Sequence, residues 1–225
     1  MGSRISLPSF GADSKYTTIS GFSGGTGFAN NLHVAHSETI KGVGLINGSP
    51  YAIGTYKDIA GIFDYDMVSS EIALESITLA DRYEKEGKID DLSNLKMAPV
   101  VIFSSGMDPV MIKPMQDAQE MFYENYGANV EFQYYPTFQH TWPLDVPIDV
   151  KPFGECSVFP PSRTQNCGVD TSGIILNTLL KGVPGSNIKE LNPKTFNWEN
   201  KGIIKAFDQK EFIDKEVFQY SGLDN

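Results

Sequence analysis

The sequence predicts an α/β domain with a mostly parallel sheet flanked by helices. Segments rich in β-branched and aromatic residues alternate with segments whose apolar residues recur at helical spacing. Such alternation is typical of βαβ units, whose strands run parallel. The chain has 225 residues, of which 40% are hydrophobic and 20% charged, so it is long enough to bury a sizeable core.

The predicted elements follow one another along most of the chain. Strands are marked by β-branched and aromatic residues, and helices by apolar residues three or four positions apart. Strands are predicted at 15–20, 43–46, 99–104 and 130–135, and helices at about 28–37, 69–87, 111–126 and 170–180. The glycines at 21, 24, 25 and 27 predict a sharp turn between the first strand and the first helix. After residue 184 the pattern weakens.

Composition limits the classes of partner. The 18 Lys and Arg residues against 28 Asp and Glu residues give a formal net charge of −10, which argues against nucleic acid or an anionic membrane surface as a partner. No apolar stretch approaches the roughly 18 residues that a membrane span needs. The first residues lack the apolar segment of a signal peptide, so we expect either a cytosolic protein or a leader that is absent from this chain.

The two cysteines, Cys156 and Cys167, lie in a loop rich in Pro, Ser and Gly. A disulfide is the favoured interpretation, and it would indicate an oxidising compartment. Two buried, reduced thiols are the alternative. A metal site would need more ligands nearby, and this loop contains no other Cys or His.

Three residues with catalytic potential occur in the order Ser, Asp, His. Ser23 lies in Gly21-Phe22-Ser23-Gly24-Gly25, Asp108 follows the strand at 99–104, and His140 lies in Gln139-His140-Thr141-Trp142-Pro143. This is the chain order of hydrolases whose nucleophile sits at a strand-to-helix elbow. A serine needs a histidine to accept its proton and a carboxylate to orient that histidine. Each residue follows a predicted strand, so parallel topology would place all three at one edge of the sheet.

The segment around Ser23 fits such an elbow, because a strand is predicted before it and a helix after it. Glycines on both sides would relieve crowding between the strand and the helix. Gly24 would offer its N–H to an oxyanion, assisted by the N-terminus of the helix. An ordinary Gly/Ser turn is the alternative, since the chain contains 21 glycines.

Asp108 also has an alternative role. It could cap the helix predicted to start near residue 109, and three further carboxylates compete with it for the histidine. These competitors are Asp64, Asp66 and Asp145.

Three other positions admit two interpretations each. His33 and His36 have the spacing of a metal-binding pair, but no third ligand is evident, so ordinary helix positions are favoured. Trp142 either lines a substrate surface or packs beneath the loop that carries His140. Asn47-Gly48-Ser49 fits a glycosylation sequon, but its neighbours favour a turn.

These motifs resemble the poly(3-hydroxybutyrate) depolymerase family of serine esterases. The similarity covers about residues 7–182 in the order of the family. The carrying segments are Leu7-Pro8, 19–25, 33–37 continuing to 41–44, Gly48-Ser49-Pro50-Tyr51, 103–108, 140–143 and Asn166-Cys167-Gly168-Val169-Asp170.

The resemblance implies a single catalytic domain, assigned to residues 1–183, with Ser23, Asp108 and His140 as its triad. It also implies a bridge between Cys156 and Cys167. Secretion, to the extracellular space or to a secretory or lysosomal lumen, follows from the same resemblance. No cofactor and no metal are expected, and we expect a monomer.

The family includes enzymes that resemble circularly permuted α/β-hydrolases, which would account for the short segment of 22 residues before Ser23. We therefore expect an α/β-hydrolase-like fold that is circularly permuted. The late apolar strand and oxyanion loop of the family are not found. Residues 184–225 are accordingly expected to begin the permuted remainder of the same domain, and the chain to be incomplete at its C-terminus or the site to be completed differently.

The expected function is that of a serine esterase that cleaves poly(3-hydroxybutyrate) or related short-chain hydroxyalkanoate esters through an acyl-enzyme. Its partner would be the polyester or a small ester. Two alternatives remain: another serine hydrolase, such as a feruloyl-type esterase or a peptidase, and an inactive truncated homologue.

Overall fold

The computed structural model describes residues 13–57, 66–145, 156–158 and 164–183. Four parallel strands form a sheet in which the strand order equals the chain order. The strands are β1 (Ile19–Phe22), β2 (Val43–Ile46), β3 (Pro99–Ser105) and β4 (Asn129–Tyr135). In this register Val43 lies opposite both Ile19 and Val100, and Val100 lies opposite Val130. The predicted parallel sheet is therefore confirmed.

Five α-helices are described. They are α1 (Gly24–Ala35), α2 (Ile53–Tyr56), α3 (Ser69–Lys85), α4 (Lys113–Asn125) and α5 (Thr171–Leu179). The four longer ones match predicted helices to within a few residues. Among them, none combines the length and the apolar character that crossing a membrane requires.

Helices cover both faces of the sheet. Alternate residues of its buried strands point to opposite faces, so each strand contributes side chains to the cores on both sides. In β3, Val100 and Ile102 pack into a core shared with α1, α3 and α4. Val101 and Phe103 pack on the other face against Ile175 and Leu179, which both belong to α5. All four β3 residues are at most 1% exposed, which explains the continuous apolar run of this strand.

The first strand is shorter than predicted. The β-branched and aromatic residues of the segment 15–20 predict a strand, but β1 begins only at Ile19. The Asp13 carboxylate accepts a hydrogen bond from the Lys15 N–H at 3.0 Å and caps a 3₁₀ turn at Ser14–Tyr16. This local side-chain bond offers the backbone an alternative to the sheet.

Two short strands between β4 and α5 carried little sequence signal. β5 (Trp142–Leu144) and β6 (Thr164–Asn166) pair in parallel as a separate two-stranded sheet. Each has three residues, and one contains a proline, so neither shows the alternation by which strands are recognised.

All described residues fall within the predicted catalytic domain, 1–183. The predicted extension, 184–225, lies outside the described residues, as does the first carrying segment, Leu7-Pro8.

Candidate active site

Ser23 occupies a one-residue turn between β1 and α1. Its φ is 56° and its ψ is −123°, a conformation that residues other than glycine rarely adopt. Such strain is typical of a nucleophile elbow, which presents the hydroxyl above the sheet edge. The turn is tighter than predicted, because Gly24, Gly25 and Gly27 already belong to α1.

Crowding at this elbow is one-sided. A Cβ atom at Gly21 would overlap the carbonyl group of Gly25, so only glycine fits at position 21. A Cβ at Gly25 would meet nothing within 4 Å. The expectation of crowding on both sides of Ser23 is therefore wrong at Gly25, whose backbone rather than its missing side chain approaches the strand.

Thr26 fastens the elbow to the sheet, a role that sequence reasoning missed. Its buried hydroxyl lies 2.7 Å from the carbonyl oxygens of both Gly21 and Ile46, and it accepts the N–H of Ile46 at 3.2 Å. The Ser23 N–H donates to the Ile46 carbonyl at 3.0 Å. Two residues of the elbow are thus held by the last residue of β2.

The structure brings the three residues of the predicted triad together. The Ser23 Oγ lies 2.9 Å from the His140 Nε2, although the residues are 117 positions apart in the chain. The His140 Nδ1 lies 2.7 Å from the Asp108 Oδ2. His140 is 1% exposed and Asp108 6%, so water is largely excluded from their hydrogen bond. All three follow carboxyl ends of strands in one sheet.

Asp108 lies beside His140, and the helix-capping alternative is wrong, because Ile112 rather than Asp108 is the N-cap of α4. While its Oδ2 faces His140, its Oδ1 accepts the N–H groups of Val110 at 2.7 Å and Met111 at 2.8 Å. These bonds order the turn that precedes α4, which begins only at Lys113. Of its competitors, Asp66 and Asp145 are exposed, and Asp64 lies outside the described residues.

The imidazole of His140 has an aromatic neighbour. The Phe22 ring lies 4.9 Å from it, centroid to centroid, with 33° between the planes. Phe22 directly precedes Ser23 at the end of β1, so one short segment supplies both the hydroxyl and an apolar surface for the histidine.

Trp142 begins β5 and is half-buried against the core on the α5 side, which contains Phe103, Ile175 and Leu179. This contact supports the packing interpretation for part of the ring. A role in lining the substrate surface stays a prediction.

Gly24, the predicted oxyanion donor, is the first residue of α1 and is exposed. N–H groups in the first turn of a helix have no carbonyl within the helix to bond, and the helix end carries a partial positive charge. Both properties suit an oxyanion beside Ser23, and the role of Gly24 stays a prediction.

The disulfide between Cys156 and Cys167 is present, which confirms the pairing that the resemblance implied. Each of its two cysteines forms a main-chain hydrogen bond with one end of the segment that carries His140. The Cys156 carbonyl accepts the N–H of Gln139 at 2.8 Å, and the Cys167 N–H donates to the Leu144 carbonyl at 2.8 Å.

We expect the Cys156→Ser/Cys167→Ser double variant to lose about 3 kcal/mol of unfolding free energy, because opening a short covalent loop frees the unfolded chain. Denaturant unfolding, measured with and without dithiothreitol, tests this. The reductant should bring the wild type to the level of the double variant and leave that variant unchanged. Equal midpoints for the two proteins without reductant would contradict it.

The two histidines of α1 lie in different surroundings. His33 is fully buried, and its Nδ1 lies 3.0 Å from the hydroxyl of Tyr123, which donates to the Asn30 Oδ1 at 2.9 Å. His36 is exposed at the end of the helix. Within the described ranges, no three His, Cys, Asp or Glu side chains lie close enough to hold a metal ion.

Burial, followed by the positive charge of Lys41, lowers the pKa of His33 from 6.5 to about 4. The unfolded chain therefore binds a proton at a higher pH than the folded chain does. Stability should be lost as the pH falls from about 6.5 through 4, by about 3 kcal/mol in all. In His33→Asn this loss should be absent, because the amide can replace the Nδ1 donor without titrating. Chemical denaturation at pH 7 and pH 4 measures it, and His36→Asn should retain the wild-type dependence. A wild-type loss that persists in His33→Asn would exclude His33 as its source.

Comparison with known proteins supports the predicted resemblance. No protein-family model matches the chain. A poly(3-hydroxybutyrate) depolymerase of Delftia acidovorans is 28% identical over 218 residues, which cover 93% of this chain and 40% of that protein. The chain thus spans less than half the length of this curated relative.

Two solved structures share the fold. One is a serine-to-alanine variant of a PHB depolymerase complexed with an R3HB trimer, with a TM-score of 0.68 and 20% identity over 83% of this chain and 58% of that one. The other is the PHB depolymerase of Penicillium funiculosum, with a TM-score of 0.67 and 21% identity over 78% of this chain and 54% of that one. The predicted resemblance and the α/β-hydrolase-like fold class are confirmed. Circular permutation stays a prediction.

Proposed function

We propose that this chain is a serine esterase that cleaves ester bonds through an acyl-enzyme. The hydrogen-bonded series from Ser23 through His140 to Asp108 is the observation that carries the proposal. A nucleophile, a base within hydrogen-bond reach and a carboxylate that orients the base form the arrangement that acyl transfer requires.

In the proposed mechanism each group has one role. With Nδ1–H donated to the Asp108 carboxylate, the Nε2 lone pair of His140 faces the Ser23 hydroxyl and accepts its proton. The Ser23 oxygen then attacks the ester carbonyl, and the oxyanion lies beside the Gly24 N–H. His140 returns the proton to the leaving alcohol, and the acyl group stays on Ser23. A water molecule then gives a proton to His140 and attacks the acyl carbonyl. As the bond between that carbon and the Ser23 oxygen breaks, the acid is released and His140 returns the proton to the Ser23 oxygen.

The proposed substrates are poly(3-hydroxybutyrate) and its oligomers. The names of the similar proteins support this assignment, because each is a depolymerase of that polyester and one was solved with an R3HB trimer. The uncharged ester backbone of such a polymer also suits a chain with a net charge of −10, which would repel a polyanion.

We infer an oxidising compartment, either the extracellular space or a secretory or lysosomal lumen. The disulfide beside His140 supports it, because such bridges persist mainly where thiols are not kept reduced. The inferred form of the protein is a monomer.

Four substrates presented to the purified chain test the proposal. They are a 3-hydroxybutyrate trimer, p-nitrophenyl butyrate, a feruloyl ester and a chromogenic peptide. Release of hydroxybutyrate from the trimer, together with fluorophosphonate labelling of the tryptic peptide that contains Ser23, is the expected result. Cleavage of only the feruloyl ester or the peptide would favour another serine hydrolase. A folded chain that neither reacts with the probe nor cleaves any substrate would identify an inactive homologue.

A further inference from the structure

Asn47 lies at the carboxyl end of β2, the strand between two of those that lead to the triad residues. It directly follows Ile46, the last residue of β2, between the strand that leads to Ser23 and the strand that leads to Asp108. Its main-chain N–H donates to the Phe103 carbonyl of β3 at 3.1 Å. The residue is 1% exposed, so its amide is directed into the protein and away from solvent.

The side chain of Asn47 reaches the segment that carries the base. Its Nδ2 donates to the main-chain carbonyl of Thr141 at 3.0 Å, across 94 positions of sequence. Thr141 directly follows His140, which lies outside any helix or strand. The Thr141 carbonyl, one residue after His140, is therefore hydrogen-bonded to a residue at the end of the central strand β2.

Backbone conformation alone does not account for this contact. Asn47 has a φ of 43°, in the left-handed region where asparagine is enriched, so a requirement for the turn explains the residue type. It does not explain a buried amide aimed at Thr141. The other amide atom, Oδ1, has no hydrogen-bond partner in the described part of the structure. Leaving that acceptor buried costs free energy, which the bond to Thr141 must help to offset.

We propose that Asn47 is a positioning residue of the site, whose amide holds the backbone beside His140 so that the imidazole stays between Ser23 and Asp108. This inference rests on the proposed esterase function. The imidazole must keep one nitrogen 2.9 Å from the Ser23 Oγ and the other 2.7 Å from the Asp108 Oδ2. Movement of its backbone lengthens one of these distances, and displacements of about 1 Å lower reaction rates about 100-fold.

The Asn47→Gly substitution removes the amide group without disturbing the turn, because glycine adopts a φ of 43° without strain. We expect kcat on p-nitrophenyl butyrate to fall about 10- to 100-fold with KM within about twofold of the wild type. The ¹⁵N chemical shifts of the His140 ring supply a second readout. In the wild type they should report the Nδ1–H tautomer, and in Asn47→Gly a larger share of the Nε2–H tautomer, because the bond to Asp108 is made for less of the time.

Two controls address the general effects of the substitution. Met97→Gly places glycine at another left-handed position, with a φ of 62°, just before β3 begins. Ile72→Val removes one methylene from a buried position of α3 and so lowers stability mildly. Both should retain wild-type kcat and the wild-type tautomer.

The outcomes separate this inference from the function on which it rests. A wild type whose hydrolysis equals that of Ser23→Ala would overturn the esterase proposal, and the tautomer measurement would still judge Asn47. An Asn47→Gly variant with the wild-type tautomer and, where there is activity, the wild-type kcat would overturn the positioning role. A loss in Ile72→Val or Met97→Gly as large as that in Asn47→Gly would overturn it as well.

Discussion

Replacing Ser23 with alanine is expected to lower kcat for ester hydrolysis on the order of 10⁶-fold, because it removes the oxygen on which the proposed acyl-enzyme forms. The His140 Nε2 that lies 2.9 Å from the Ser23 Oγ would then face a methyl group and have no proton to accept. Initial rates with p-nitrophenyl butyrate and with a 3-hydroxybutyrate trimer measure the loss. Ser20→Ala, at an exposed position of β1 three residues earlier, should hydrolyse at the wild-type rate.

A glycine at position 23 separates two effects of the substitution: the loss of the hydroxyl, which affects activity, and the strained backbone, which affects stability. Alanine inherits the φ of 56°, whereas glycine adopts it freely. Ser23→Gly should therefore be more stable to heat than Ser23→Ala by about 1 kcal/mol, while both are inactive. A Ser23→Ala protein that hydrolyses within tenfold of the wild type would remove Ser23 from the mechanism. Equal stability of the two variants would show that the elbow stores no strain.

Asp108→Asn is expected to lower kcat about 10⁴-fold with little loss of stability. The two carboxylate oxygens serve different partners, so an asparagine can keep its amide oxygen on the N–H groups of Val110 and Met111. Its amide NH₂ then points at the His140 Nδ1, which must become an acceptor. The proton moves to Nε2, and the histidine can no longer take a proton from Ser23.

Asp108→Ala provides the contrast. It removes the bonds to the turn as well as the bond to His140, so unfolding free energy should fall by about 1–3 kcal/mol in addition to the loss of activity. Thermal unfolding, initial rates and the ¹⁵N shifts of the His140 ring form the comparison. An Asp108→Asn protein with the Nδ1–H tautomer and near wild-type activity would show that the carboxylate does not orient the base. A variant as unstable as Asp108→Ala would show that the amide cannot maintain the turn.

The parallel sheet was predictable because its central strands are apolar on both faces. The run from Val100 to Phe103 contains no polar residue, which is typical of a strand covered by helices on two sides. The meeting of Ser23, Asp108 and His140 followed from a geometric rule, since carboxyl ends of parallel strands share an edge. Neither inference required knowledge of a distant contact.

Residues that hold this site together carried no comparable signal. Thr26 lies among the glycines of the first turn of α1, and Asn47 lies in a turn before Gly48, where polar residues are ordinary. Their importance depends on a carbonyl 20 positions away for Thr26 and 94 positions away for Asn47. The 3₁₀ turn after Asp13 depends instead on a local contact. There a single side-chain hydrogen bond to the Lys15 N–H outweighed the strand preference of the neighbouring residues.

The agreement between strand order and chain order has a consequence during synthesis. Each strand adds beside the one made just before it, so the sheet can grow as the chain leaves the ribosome. Ser23, the proposed nucleophile, is made 117 residues before His140, the proposed base. Until the segment after β4 has emerged and folded back, the Ser23 hydroxyl has no imidazole beside it, so in the proposed mechanism a reactive serine would arise only late in translation.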